Sequence, residues 1–212
     1  MSEFSDKWQR SSNETMSQKI KTAMNPPKDL RKKLVETDRS LNSQITKLDK
    51  NLVKMTEKEK SLFNKTSAAF QKHDTVLAQA YASELSEHRK AMKLVEGAKL
   101  SLERVQGRLK TITDVGDLAT VIAPVGQVVR SVRTSLQGVM PSANDTLSGI
   151  SAGLDGMMQE IGSVPGMNMN FETKDEEAEK ILAEASAIAE TKMGTTFPSI
   201  PDQTDQVSNS SI

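Results

Sequence analysis

The side chains of this chain that could do chemistry are the charged ones, and they are divided unequally between its two halves. Residues 1–110 carry 23 Lys and Arg against 14 Asp and Glu, whereas residues 111–212 carry 5 against 14, so the formal charges cancel. A basic surface can meet anionic lipid or nucleic acid, and an acidic segment of the same chain can occupy that surface from within. The alternative explanation of this charge division is that each half has a solvated helical face and that the two faces do not contact each other.

The basic residues are concentrated in the stretch Lys28–Lys65, which has 11 Lys and Arg against 6 Asp and Glu. Near an anionic leaflet each such side chain contributes about 1 kcal/mol to binding. Nucleic acid is the less favoured partner, because no aromatic or Gly-rich stacking platform interleaves with the lysines. A solvated helix face supported by i,i+4 pairs is the alternative. The predicted membrane-binding strip consists of Lys28, Arg31, Lys32, Lys33, Lys47, Lys50, Lys54 and Lys58.

Residues 1–25 hold a second candidate for membrane binding. Phe4 and Trp8 lie one helical turn apart, with Lys7 and Arg10 beside them. Trp is favoured at the headgroup boundary and cations meet anionic lipid, so Phe4 and Trp8 are predicted to anchor the chain in the membrane interface. A frayed terminus, or two aromatic side chains packed on the rest of the protein, would explain the same residues.

The tail contains the sharpest short motif, Phe197-Pro198-Ser199-Ile200-Pro201, called the Pro motif below. Proline pre-sets an extended backbone, so the apolar side chains can fill a groove on a partner at little ordering cost. We predict that Phe197, Pro198, Ile200 and Pro201 recruit a partner protein. A disordered tail that merely contains prolines is the alternative.

No pattern in the sequence predicts an active site. His73 and His88 have no carboxylate or Cys partner at metal-ligand spacing, and the chain has no Cys. A phosphate-binding loop, a nucleophile elbow and a dinucleotide fingerprint are all missing. We therefore expect no catalytic residue, metal, cofactor or small-molecule substrate. The glutamates between Glu172 and Glu190 are interpreted as a charged helix face.

Composition also predicts a soluble protein of the cytoplasm. The first residues lack the pattern of a secretory signal, and the absence of Cys fits a reducing compartment. The most apolar stretch, Val115–Val129, contains Asp117 and Pro124 and is too short to span a bilayer.

The spacing of apolar residues predicts the elements that position these side chains. Between Lys28 and Glu96 there is neither Gly nor Pro, which indicates helices far longer than the globular average. Apolar residues at steps of three and four define a first coiled-coil seam, in which Asp38 and Glu59 occupy two of the positions. The apolar members of this seam are Leu34, Leu41, Ile45, Leu48, Leu52, Met55 and Leu62. A second seam follows: Tyr81, Leu85, His88, Met92, Val95, Leu102, Val105, Leu109 and Ile112.

Between the seams the pattern turns polar, and Asp74 is a good N-cap for the second one. We predict a long antiparallel helical hairpin over residues 26–113. One continuous helix that pairs its seams between chains is the alternative.

The second half is predicted to form shorter, weaker helices. Residues 114–165 keep a helical apolar rhythm although glycines and a proline interrupt it. Residues 166–193 read as a linker and an acidic regulatory helix at Asp175–Lys192, and residues 194–212 as a disordered tail. The predicted fold class is all-α. The predicted hinge, through which the acidic end leaves the hairpin, consists of Gly116, Pro124 and Gly126.

Several runs resemble a known family. Gln71-Lys72-His73-Asp74, Ala78–Leu85 and Arg89-Lys90-Ala91 resemble the hairpin turn and second helix of ESCRT-III proteins. Met140–Met158 and Glu176–Leu182 are similar to the fourth helix and the acidic fifth helix of that family. The Gly-rich third segment and the absence of Cys make the archaeal CdvB-type division proteins the most similar branch.

The resemblance covers about residues 28–190. It implies a homo-polymer, or a polymer with paralogous subunits, that constricts or severs membrane necks at the division site. It also implies disassembly by an AAA ATPase with an MIT domain, which the Pro motif would recruit. Two other functions stay open: a coiled-coil or BAR-like scaffold that binds membrane without polymerising, and a basic helical protein associated with nucleic acid.

Overall fold

Five α-helices make up most of the chain that the computed structural model describes, which is residues 28–113, 115–162 and 174–197. They are α1 (Lys28–Gln71), α2 (Thr75–Leu109), α3 (Val115–Leu136), α4 (Asn144–Gly162) and α5 (Lys174–Thr196), with a short 3-10 turn at Pro141–Ala143 before α4. These described ranges contain no strand, which confirms the predicted all-α class.

Helices α1 and α2 form the predicted antiparallel hairpin. The chain reverses at His73, whose φ of 57° lies in the left-handed region. Asp74 caps α2, because its carboxylate accepts a hydrogen bond from the Leu77 amide at 3.0 Å. The turn confirms the hairpin, and one continuous helix is not the arrangement of this form.

The two predicted seams supply the buried side of the hairpin. Leu41, Leu48, Leu85 and Leu102 are fully buried along it. Full burial of such a side chain stabilises the fold by about 1.5–3 kcal/mol relative to exposure. The seam is not wholly apolar, because the carboxylate-bearing Glu59 is only 2% exposed.

Helices α3 and α4 fold back onto the hairpin as a pair. α3 packs on α2, α4 packs on α1, and α3 and α4 pack on each other. Their stripes join the hairpin seams in one core, with these residues buried: Leu118, Ile122, Val125, Val129, Val132, Leu136, Leu147, Ile150, Leu154, Met157 and Ile161. α5 then lies across α2 and α3. We call this arrangement, with α4 on α1 and α5 on α2, the closed form.

The predicted hinge residues lie inside α3 and not between two helices. Gly116 is in its first turn, and Pro124 and Gly126 are buried near its middle. α3 continues through Pro124, although proline has no N–H and leaves the Thr120 carbonyl without its helical donor. The centre of α3 is therefore weakened but not broken, and hinge motion there stays a prediction.

Helix α5 extends beyond its predicted end at Lys192 and reaches Thr196, so residues 194–196 belong to the helix and not to the tail. The threonines in this last turn bond back to the helix. Thr195 Oγ1 donates to the Thr191 carbonyl at 3.0 Å, and Thr196 Oγ1 donates to the Lys192 carbonyl at 2.6 Å. Such hydroxyl-to-carbonyl bonds occur within helices, so the run of threonines does not end α5.

Candidate functional site

The predicted basic strip on α1 has an exposed centre. Lys47, Lys50 and Lys54 are exposed and recur at steps of three and four residues, so they share one face of the helix. Among the residues that the structure describes, no acid forms an ion pair with any of the three. Their ammonium groups are therefore available to an anionic surface.

The ends of the strip differ from its centre, because three of their lysines form ion pairs with acids. Arg31 is exposed, whereas the side chain of Lys28, the first residue of α1, lies outside the described part of the chain. The other lysines of the strip each pair with an acid: Lys58 with Glu84 at 3.3 Å, Lys33 with Glu160, and Lys32 with Asp29 at 3.8 Å. Among the lysines of the strip whose side chains the structure describes, Lys47, Lys50 and Lys54 are therefore the three that pair with no acid.

The acidic helix α5 lies on the other arm of the hairpin. It is joined to α2 by four ion pairs, in three of which α5 supplies the acid: Arg108–Glu177, Arg104–Glu184, Lys93–Glu190 and Lys192–Glu96. Most of these side chains are partly exposed, and exposed pairs contribute about 0–1 kcal/mol each. The pairs therefore contribute little to the stability of α5 docking on α2, and their main effect is to fix the register of the two helices.

The apolar side of α5 is made mostly of alanine. Ala178, Ile181, Ala185 and Ala189 are buried where α5 meets α2 and α3. A Cβ added at Gly97 on α2 would lie 4.0 Å from the Ala189 Cβ, an ordinary van der Waals distance, so α5 approaches α2 closely at this point. Alanine removes little apolar area from water, and the hydrophobic stabilisation scales with that area. α5 is thus docked by several individually weak contacts.

The Pro motif begins against the hairpin. The ring of Phe197 lies 5.4 Å from the guanidinium carbon of Arg89 on α2, a cation–π distance. The same guanidinium donates to Glu59 Oε1 on α1, from Nε at 2.9 Å and from Nη2 at 2.5 Å. Arg89 therefore joins three elements: both arms of the hairpin and the end of α5.

A further ion pair between the hairpin arms is more exposed than the Arg89–Glu59 pair. Lys99 Nζ lies 2.5 Å from Asp49 Oδ1. This hydrogen bond lowers the pKa of the Asp49 carboxyl and raises the pKa of the Lys99 ammonium, so both groups are charged at neutral pH. The contribution of the Asp49 carboxylate to the stability of the fold is present above the usual pKa of Asp, and it is lost as the pH falls through the lowered pKa of Asp49.

The two histidines lie apart and form no site together. His73 is in the hairpin turn, and the ring Nε2 of His88 lies 2.8 Å from the Met55 carbonyl oxygen. Within the described ranges, no group of three or more His, Cys, Asp or Glu side chains could hold a metal ion. None of the helices searched, again over the described residues, has the length and apolarity needed to cross a membrane.

Some predicted site residues lie outside the described part of the chain. They are Phe4, Trp8, Pro198, Ile200 and Pro201. The interfacial anchor at Phe4 and Trp8 stays a prediction, and of the Pro motif only Phe197 has a described position.

Sequence reasoning missed which cations α5 covers. The signal was present, because Arg104 and Arg108 are one helical turn apart and Glu177 and Glu184 are two turns apart. To pair these cations with these acids, one must know which residues of α5 lie beside which residues of α2, and the spacing within each helix does not give that alignment.

Two proteins of Sulfolobus acidocaldarius show what this chain is similar to. It is 36% identical over 172 residues to Cell division protein B1, an alignment that covers 81% of this chain and 80% of that protein. It is 27% identical over 172 residues to Cell division protein B, covering 81% of this chain and 66% of that protein. No family model and no solved structure matches the chain.

Proposed function

Since the chain belongs to the CdvB-type, ESCRT-III-like family, we propose that it is an archaeal cell-division subunit that polymerises on membranes and constricts or severs them. It works on the inner face of the cell membrane at the division site, with copies of itself and with paralogous subunits. The observation that carries the proposal is the charge arrangement of the closed form: exposed lysines on α1, and an acidic helix over the cations of α2.

Membrane binding is the role of the central lysines. Lys47, Lys50 and Lys54 present three ammonium groups on one face of a rigid helix. That geometry suits a flat or gently curved anionic surface, because all three can approach the leaflet together. The total charge of the chain is zero, so the attraction depends on this local arrangement and weakens with salt.

Autoinhibition is the role of α5. Its glutamates occupy Lys93, Arg104 and Arg108 of α2, which would otherwise be exposed to lipid or to a second copy. Because the docking contacts are weak, an anionic leaflet or a neighbouring subunit can compete for the same cations. Release of α5 then shifts the population from the closed form to an assembling one.

Disassembly by an AAA ATPase with an MIT domain requires a binding segment, and the Pro motif is the candidate. Phe197, its first residue, contacts Arg89 in the closed form. The ring cannot fill a groove on the ATPase while it packs there. ATPase recruitment would then be favoured after α5 leaves the hairpin.

The membrane role is tested by replacing the central lysines. We expect Lys47→Gln, Lys50→Gln and Lys54→Gln together to weaken binding to vesicles of anionic lipid by roughly a hundredfold, since each lysine contributes about 1 kcal/mol. Co-sedimentation at low and moderate salt measures the change. A chain with Phe4→Ala and Trp8→Ala tests the interfacial anchor in the same assay.

The matched control removes the same charge elsewhere. Lys72, Lys110 and Lys180 are exposed and lie off the strip, so their replacement by Gln should leave lipid binding nearly unchanged. Equal losses in both triple variants would show that only net charge matters. Undiminished binding by the strip variant would remove α1 as the membrane surface. Negative-stain imaging of the same samples separates filaments from the discrete dimers of a static scaffold.

The recruitment role is tested at Phe197. We expect Phe197→Asp to abolish binding of an MIT-domain ATPase, because the aromatic side chain that fills the groove is replaced by a charge. Titration calorimetry on the full chain measures the affinity. Thr196→Asp, an exposed neighbour in the last turn of α5, is the control. Unchanged ATPase binding by the Phe197 variant would eliminate the Pro motif as the recruiting segment.

A further inference from the structure

Helix α1 carries a line of polar side chains on its buried side. Thr37, Gln44 and Asn51 recur every seven residues, so they lie on one face, two helical turns apart. Thr37 is 6% exposed and Gln44 is 0% exposed. In a coiled-coil seam, polar residues at such positions lower stability, and apolar residues would pack better.

This face of α1 is the one that α4 covers. A Cβ added at Gly153, in the middle of α4, would lie 3.5 Å from Thr37 Oγ1. Asn51 Nδ2 lies 2.9 Å from the Sδ of Met140, just before the turn that leads into α4. Gln44 is midway between these two contacts along α1, so it lies opposite the N-terminal part of α4.

The polar groups of this interface are poorly satisfied. Neither Nε2 nor Oε1 of Gln44 has a hydrogen-bond partner among the described residues. Asn51 Nδ2 donates to a thioether, which is a weak acceptor. A buried amide that loses its hydrogen bonds to water and gains none in the protein destabilises the packed arrangement.

The interface between α3 and α4 has the opposite character. Both of its sides contribute apolar residues to the core, among them Val125 and Val129 on α3 and Leu154 on α4. An ion pair between Arg130 and Asp155, at 3.0 Å, joins the same two helices. α4 is therefore held on α3 by a well-packed contact and on α1 by a poorly satisfied one.

We propose that the α1–α4 interface is a release point of the closed form, where α4 swings away from α1 while it stays on α3, and that Gln44 gives this interface its low stability. On opening, the amides of Gln44 and Asn51 gain hydrogen bonds to water, and Lys33 leaves Glu160. The uncovered face of α1 lies on the same helix as the exposed central lysines. This release is separate from that of α5, which packs on α2 and α3.

Thiol labelling tests the proposal, because the chain contains no Cys and a single introduced one reports the opening of its own interface. Thr37→Cys reports α1–α4, and Ala189→Cys, at a 0% exposed position, reports α2–α5. Each reporter is placed in the otherwise unaltered chain and in a Gln44→Leu chain. We expect Gln44→Leu to slow labelling at position 37 by roughly tenfold or more, the effect of removing an unsatisfied buried amide. Labelling at position 189 should not change.

Asn42→Leu is the matched control, because it adds the same side chain at an exposed position of α1 and should change neither rate. Gln44→Met, which keeps the length of the side chain, must behave as Gln44→Leu does. Unchanged or faster labelling at position 37 in both variants would overturn the proposal, since the amide of Gln44 would then stabilise the interface. Equal slowing at positions 37 and 189 would also overturn it, because the two interfaces would then open as one unit. The assay uses the monomer alone, so its result does not depend on filament formation.

Discussion

A chain carrying Ala185→Arg is expected to form filaments under conditions in which the unaltered chain stays monomeric. Ala185 is 0% exposed at the centre of the α5 contact with α2 and α3. A guanidinium cannot be accommodated there without a partner, and an unpaired buried charge disfavours docking by about 3 kcal/mol, on the order of a hundredfold in population. Displaced α5 leaves Lys93, Arg104 and Arg108 open to lipid or to a second copy.

Light scattering and negative-stain imaging, with and without vesicles of anionic lipid, measure this effect. The control is Ala187→Arg, which adds the same charge to an exposed position of the same helix and should leave the chain monomeric. Deletion of residues 172–212 should act as Ala185→Arg does, because it removes α5 altogether. If both altered chains stayed monomeric on anionic vesicles, autoinhibition by α5 would be wrong.

Arg89→Ala is expected to lower the free energy of unfolding by about 3 kcal/mol, because it leaves a buried carboxylate without its partner. Glu59 is 2% exposed, and the Arg89 guanidinium donates two hydrogen bonds to its Oε1, at 2.9 and 2.5 Å. Breaking such a pair from one side costs more than the pair contributes, since the remaining charge cannot regain its hydration. Urea unfolding followed by circular dichroism measures the change.

Two further variants separate this explanation from a general loss of contacts. Glu59→Leu combined with Arg89→Leu should recover most of the lost stability, since no charge is then buried. Lys90→Ala, next in sequence, removes only an exposed pair with Glu87 and should change stability by less than about 1 kcal/mol. An Arg89→Ala chain as stable as the unaltered one would show that Glu59 does not need Arg89.

Much of the fold could be predicted from spacing along the chain. The apolar steps of three and four residues predicted two long helices, and the polar break before Asp74 predicted the turn between them. Both are local features, because the side-chain period of a helix and the capping of its first turn involve residues within about one or two turns of each other. The same spacing predicted the apolar stripes of α3 and α4.

The contents of the buried seam could be predicted only in part. The spacing predicts a gap in the seam at Glu59, whereas the structure has a buried carboxylate there that pairs with Arg89. The burial of Gln44 has no signal in the sequence, because a single glutamine between Leu41 and Leu48 does not show which helix covers it. Both positions depend on what another helix places opposite them.

The spacing and types of residues along the chain are enough to predict the all-α class, the place of the hairpin turn, and a basic first half followed by an acidic second half. The packing of the helices against one another sets which lysines of α1 stay exposed, which cations of α2 pair with α5, and where Phe197 lies. The reason is the distance along the chain between the partners, as for Arg108 and Glu177, which are 69 residues apart. Contacts of that kind are set by the relative positions of packed helices, and each helix has the same pattern of residues whichever position it takes.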